Sequence, residues 1–250
     1  MLPALLTACY AAVLAVAAHL GRPAFAAALV FAQVVFAVGW FRLAPPATLR
    51  SSRVIAILAG LAADAAVFAD EIAPGTAPMA SVLGIAFVLV LVQQLARRDG
   101  RGAVTTALTM GVSGVVLTSL AAWYLAAWSV GSDLGGRAAE DTAAMIVSAV
   151  IGGICAATLI GALPLPGPVT GTLGLLGAAG AGVLLEVPLG AGGLVPGMVL
   201  AACGGGLALV ARTVIAYGSP AREARLSAGV MLPFVLAAPA AYVVGRFLVA

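Results

Sequence analysis

Apolar runs about as long as a bilayer is thick recur along this chain, and that recurrence constrains the fold more than any motif. At about 1.5 Å of rise per residue, roughly twenty apolar residues in a helix cross a hydrocarbon core of about 30 Å. Nine stretches approach that length: Leu2–Leu20, Pro23–Leu43, Val54–Asp70, Met79–Leu95, Ala103–Val130, Ala143–Leu163, Val169–Leu185, Leu194–Tyr217 and Leu226–Val249. Backbone polar groups in lipid must pair within their own segment, so each run is expected to be a helix. The expected fold is an all-α polytopic bundle of about nine spans, forming a single integral membrane domain over residues 1–250. Composition agrees: 63% of the residues are apolar and 8% charged, against about 25% charged in ordinary soluble domains.

Two runs leave alternatives open. The first could be a signal sequence, but no Arg or Lys precedes its apolar stretch, which favours a retained helix. The seventh, 169–185, is short and Gly-rich and could be re-entrant.

Arginine sets the orientation. Arg97, Arg98 and Arg101 crowd the loop from Ala96 to Gly102, and such loops stay cytoplasmic. With the N-terminus inside and nine crossings, the inner loops also carry Arg42, Arg50, Arg53, Arg222 and Arg225, against Arg22, Arg137 and Arg246 outside. The C-terminus is then external, and the expected location is the bacterial cytoplasmic membrane. The net charge of +3 comes entirely from Arg, with no Lys. It serves topology and gives no reason to expect nucleic-acid binding. Trp123, Tyr124 and Trp128, near the far end of the fifth run, are expected to sit at the membrane interface.

Small residues indicate packing. Gly171, Gly174, Gly177 and Gly180 recur every three residues, Gly204 to Gly206 form a run, and Gly152 with Ala156 and Gly197 with Ala201 are four apart. Close backbone approach at such residues drives helix association in lipid, so the sixth to eighth spans should form the tightest part of the bundle. The same Gly-rich helices could dock a membrane partner. No Lys, Ser or Thr follows the glycines in phosphate-loop spacing. Cys9, Cys155 and Cys203 lie in apolar runs without metal-ligand spacing and read as small packing residues.

Polar residues within the bilayer are the candidates for chemistry. Asp64 falls ten residues into the third run, about 15 Å deep, near the midplane. A carboxylate there costs roughly 2.5 to 3.5 kcal/mol on insertion scales, so it should face the bundle interior and have a partner or carry a proton. Arg212, about 8 Å inward from the end of the eighth run, could be that partner or could snorkel to the interface. Gln93 and Gln94 close the fourth run and read as an interfacial cap. His19 is the one histidine and cannot form a metal site alone. Glu140 and Asp141 lie in an expected polar loop. Being adjacent, they would point about 100° apart on a helix. No paired-histidine site, nucleophile elbow or Cys–His pair is present, and no cofactor or metal is expected.

The second half carries a resemblance. Asp141, Thr142, Ala143 and Ala144, then Pro164, Pro168 and Thr170, then Gly206, then Arg225 before an apolar stretch with Pro239, follow an order similar to the integral-membrane phosphatidate cytidylyltransferases, the CDP-diacylglycerol synthases. The resemblance covers roughly residues 97–250 and implies a two-metal site for CTP and phosphatidate. The chain departs from that pattern at Glu140, where the family has serine, at Met145 for tyrosine and at Leu207 for an acid, and it has no lysine for the Pro-rich turn. It also places Asp141 outside, away from cytosolic CTP. The chain resembles as well the small polytopic membrane proteins common in high-GC actinobacteria.

Three functional expectations follow. The first is a non-catalytic accessory or scaffold component, in contact with the lipid bilayer and a possible membrane protein partner. The second is a small transporter using Asp64, and the third a degenerate cytidylyltransferase-like lipid enzyme. A polar cavity reaching Asp64 marks the transporter, a buried Asp64 without one marks the scaffold, and a second carboxylate beside Asp141 marks the enzyme.

Overall fold

The computed structural model describes residues 2–43, 50–69, 77–96, 104–132, 137–189, 194–217 and 222–249, and all its regular structure is helical. In chain order the helices are α1 (Leu2–His19), α2 (Arg22–Phe41), α3 (Arg50–Ala69), α4 (Ala77–Leu95), α5 (Val104–Leu120), α6 (Trp123–Ser132), α7 (Arg137–Gly161), α8 (Gly167–Leu189), α9 (Leu194–Tyr217) and α10 (Arg222–Val249). Among the described residues, eight spans are long and apolar enough to cross a membrane, with α5 and α6 together forming one of them. Met79–Leu95 of α4 is a shorter apolar helix. The protein is a multi-pass helical membrane bundle.

Five expectations are sharpened or corrected. The helix of the third run starts at Arg50 instead of residue 54, because Ser51 and Ser52 pair with the end of α4 and hold the extra turn. The seventh run is a continuous helix of 23 residues, long enough to cross instead of re-entering. Glu140 and Asp141 belong to α7 and not to a loop. The fifth run is interrupted at Ala121 and Ala122, where the Ala122 and Tyr124 amides donate three residues back to Ser119 and Ala121, at 3.1 Å each. That tight turn separates α5 from α6 without a Pro or Gly to mark it. Finally, Tyr124 is fully buried and Trp128 only 6% exposed, so these aromatics fill the core instead of lining an interface. Tyr124 meets Phe25 edge-on at 6.3 Å, and Trp123 meets the Tyr242 ring at 4.8 Å.

Two layers of packing organise the bundle. α7 and α10 are the most enclosed spans. Around them, residues such as Leu14, Phe25, Phe36, Leu125, Ile151, Leu200 and Phe234 form the main core. A smaller cluster of Phe41, Ala56, Ala59, Ala86, Val90, Ala107 and Val115 joins α2, α3, α4 and α5 at one side. The outward faces of α4 and α8 carry exposed Ile85, Val88, Leu89, Leu176 and Leu184. Such apolar surface is stable against lipid and unfavourable in water.

The closest packing lies among α7, α8 and α9, as the small residues suggested. Gly204 of the glycine run provides part of it, together with Gly153 and Gly182. A Cβ on Gly153 would lie 2.6 Å from the Ala201 carbonyl carbon, one on Gly182 2.6 Å from that of Gly197, and one on Gly204 3.1 Å from that of Val150. In the three-residue row, Gly171 and Gly180 face open space. Each step of three residues turns about 300°, so the row winds round α8 and only its middle members, Gly174 and Gly177, meet neighbouring atoms.

Helix ends gather on two sides. Gly39 near the end of α2 packs on Ser227 and Ala228 at the start of α10, with 2.6 Å from its Cβ position to the Ala228 nitrogen. The end of α4 likewise meets the start of α3, and the end of α7 meets the end of α9. The opposite side joins the start of α2 to the end of α3. The arginine loop at 97–102, Asp70, Glu71 and Asp133 lie outside the described residues, as do the side chains of Arg50, Arg137, Glu140, Glu186, Arg222 and Arg225.

Candidate functional site

Asp64 stands on the inner face of α3 and is 4% exposed, so the expectation that it faces the bundle interior holds. Its partner is not Arg212. The Gln33 side-chain amide donates to Asp64 Oδ1 across α2 and α3 at 3.0 Å. α3 packs on α2, α4 and α5, whereas α9 packs on α7, α8 and α10, which keeps the two charged groups in separate parts of the bundle.

Local sequence explains how this polar centre forms. Gly60 lies one turn before Asp64 and lacks the Cβ that would stand 2.7 Å from the Thr118 methyl and 3.3 Å from Gln33 Oε1. Its absence lets α2 and α5 close against α3. Thr118 spends its hydroxyl on the Gly114 carbonyl of its own helix, at 2.7 Å. Gln33 Oε1, Asp64 Oδ2 and Ser119 Oγ are buried without a hydrogen-bond partner among the described residues. Gln33 is the residue that sequence reasoning missed. Apart from Arg42 at its end, it is the one polar side chain of the second run, which was a readable signal, but nothing in the sequence says which helix it faces.

At the C-terminal end of α3, Arg22 donates from Nη2 to the Val67 carbonyl at 3.1 Å and lies 4.5 Å from the Phe68 ring centroid. Read from sequence as a loop residue, it is the first residue of α2 and caps the carbonyl end of α3, where a cation is favoured. At the other end of α3, Ser52 donates to Gln93 Oε1 at 2.7 Å, the Gln93 amide donates to Ser51, and the Gln94 amide reaches Ser52 at 3.5 Å. The two glutamines thus fasten the end of α4 to the start of α3.

Arg212 donates from Nη1 to the Gly161 carbonyl. Gly161 is the last residue of α7, so this carbonyl is one that the helix itself leaves unpaired. The guanidinium borders a cavity of about 690 Å³ between α1, α7, α9 and α10. Asp64 and Gln33 are not among the cavity's lining residues.

Asp141 is exposed near the start of α7, and the turn carrying Pro164 follows the other end of the same helix. Twenty residues of helix put these two features about 30 Å apart. Among the described residues, no group of three or more His, Cys, Asp or Glu side chains could hold a metal ion. His19 is exposed at the end of α1, with Nε2 3.4 Å from Ser148 Oγ. Cys9, Cys155 and Cys203 are free thiols.

The fold and this site define a polytopic helical membrane protein with a sealed intramembrane carboxyl and a separate Arg-bordered cavity. Comparison with protein families, with curated proteins and with solved structures gives no match.

Proposed function

We propose that this chain is a non-catalytic accessory or scaffold component of the bacterial cytoplasmic membrane, with its N-terminus inside and its C-terminus outside. The observation that carries this reading is the sealing of Asp64. Asp64 is 4% exposed and its carboxylate is bonded to Gln33. Transport through Asp64 needs a polar route to one side of the membrane, and an intramembrane acid bonded to a neighbouring helix serves the bundle instead by holding α2 to α3.

Three further points support the reading. With alternate crossings, most loop arginines fall on the same side as the start of α1, which favours that side as cytoplasmic. Two-metal nucleotide chemistry needs several carboxylates around the ions, and Asp141 is far from the Pro-rich turn that the lipid-enzyme reading would set beside it. Gly171 and Gly180 leave open, lipid-facing positions on α8, where the backbone of a partner helix could approach closely.

Purified protein in proteoliposomes tests this. No proton- or ion-driven flux that depends on Asp64 is expected, and no product from CTP and phosphatidate. Flux lost in Asp64→Asn would establish the transporter instead, and product lost in Asp141→Asn would establish the enzyme.

A further inference from the structure

The cavity bordered by Arg212 has a composition that a packing defect does not explain. It lies at one end of the bundle, between the first turns of α1, the last turns of α7 and α9, and the start of α10. Its walls are apolar side chains such as Leu2, Ile215 and Leu226, and small residues at Ala162, Ala208 and Gly229 keep it open. Thr7 and Thr158 also line it, but their hydroxyls already donate to carbonyls of their own helices, Pro3 at 3.0 Å and Ile154 at 2.8 Å.

Two polar features remain for a ligand. A guanidinium carries five N–H donors in a planar fork, and Arg212, an exposed residue at the cavity rim, directs one of its amino groups at Gly161 and leaves the others for a ligand. The second feature is the Gly229 carbonyl. Pro233 lies four residues on in the same helix and has no N–H to give it, and both residues line the cavity. The site therefore offers one cation, one backbone acceptor and an apolar chamber. It lies at the end of the bundle where the Arg-rich loops begin and end.

We propose that this cavity binds one molecule of an anionic, hydroxyl-bearing phospholipid from the leaflet on that side. An acyl chain fills the chamber, the phosphate meets the Arg212 fork, and a headgroup hydroxyl donates to the Gly229 carbonyl. The volume falls in the range of sites that enclose a small ligand, about 300 to 1,000 Å³. Cationic pockets between transmembrane helices are recurrent sites for anionic headgroups. The charge and the orphan acceptor together select a phosphate with hydroxyls over a zwitterionic choline head.

The test uses the full chain, stripped of lipid in a neutral detergent, with native mass spectrometry and thermal unfolding as readouts. Phosphatidylglycerol, phosphatidylcholine and inorganic phosphate are the probes. Phosphatidylglycerol should bind about tenfold more tightly than phosphatidylcholine, the equivalent of one charge-assisted contact. Arg212→Gln should abolish that preference, and Arg212→Lys should keep part of it. Gly229→Leu should weaken both lipids, because the nearest atom to its Cβ position, Ile215 Cγ2, is 3.4 Å away and the added side chain extends into the chamber. Arg246→Gln, at the far end of α10, should change nothing. The proposal fails if the preference survives in Arg212→Gln, if Gly229→Leu binds lipid like the parent, or if inorganic phosphate alone gives the same stabilisation. If Arg212→Gln does not fold, a preference wholly absent in Arg212→Lys, or a lipid affinity undiminished by Gly229→Leu, overturns it equally.

Discussion

Replacing Gly153 with alanine adds a single methyl group at the point where α7 and α9 approach most closely. That methyl would lie 2.6 Å from the carbonyl carbon and 2.7 Å from the Cα of Ala201. Both are backbone atoms of a helix, so no side chain can rotate away. Ordinary carbon contacts lie at about 3.5 to 4.0 Å, so the helices must separate by about 1 Å. A gap of that size forfeits roughly a quarter to a half of each contact it opens, and the neighbouring contacts of Gly204 with Val150 and of Gly182 with Gly197 open with it. Lipid supplies no hydrophobic force to press the helices back together. Overpacking in cores costs about 1 to 3 kcal/mol; a backbone clash that loosens two helix interfaces should reach about 3 kcal/mol. Reversible unfolding in mixed micelles measures this, with Gly180→Ala as the control. Gly180 faces open space, so that variant should stay within about 0.5 kcal/mol of the parent. If Gly153→Ala is as stable as Gly180→Ala, close glycine packing does not hold α7 to α9.

Other measurements address the polar centre, the aromatics and the topology. Asp64→Asn keeps an acceptor for Gln33 and should cost less than about 1 kcal/mol, whereas Asp64→Leu orphans the Gln33 amide and should cost about 1 to 3 kcal/mol. Combined with Arg212→Gln, the Asp64→Asn effect should add within about 0.5 kcal/mol; a larger coupling would restore the ion pair that the separate positions of α3 and α9 exclude. Trp128, alone in a variant with Trp40→Phe and Trp123→Phe, should be quenched weakly by brominated lipids at any depth. Strong quenching by lipids brominated near the headgroup would return it to the interface. A reporter fused after Ala250 should prove external and one inserted within 97–101 cytoplasmic, and a cytoplasmic C-terminus would refute the nine-span orientation.

Hydropathy alone sufficed for the class of fold and for the approximate limits of its helices. Hydrocarbon enforces helices wherever apolar runs of bilayer length occur, and this constraint is local, so Leu194–Tyr217 could be read to the residue. It also determined that Asp64 faces inward, because a carboxyl in lipid is costly wherever its helix happens to pack. Tertiary structure alone decided the partners. Gln33 rather than Arg212 meets Asp64 because α2, not α9, lies against α3, and helix order in a bundle leaves no trace in the hydropathy of each run. The break at Ala121 and Ala122 was equally illegible, since both are good helix formers and the turn is fixed by where Tyr124 and Trp123 bury their rings. For the glycines, composition indicated which helices pack tightly and picked out Gly204, Gly197 and Ala201, but neither Gly153 nor Gly182. Whether a missing Cβ matters depends on what stands opposite, and only the assembled bundle puts the Ala201 backbone against Gly153 and leaves Gly180 facing open space.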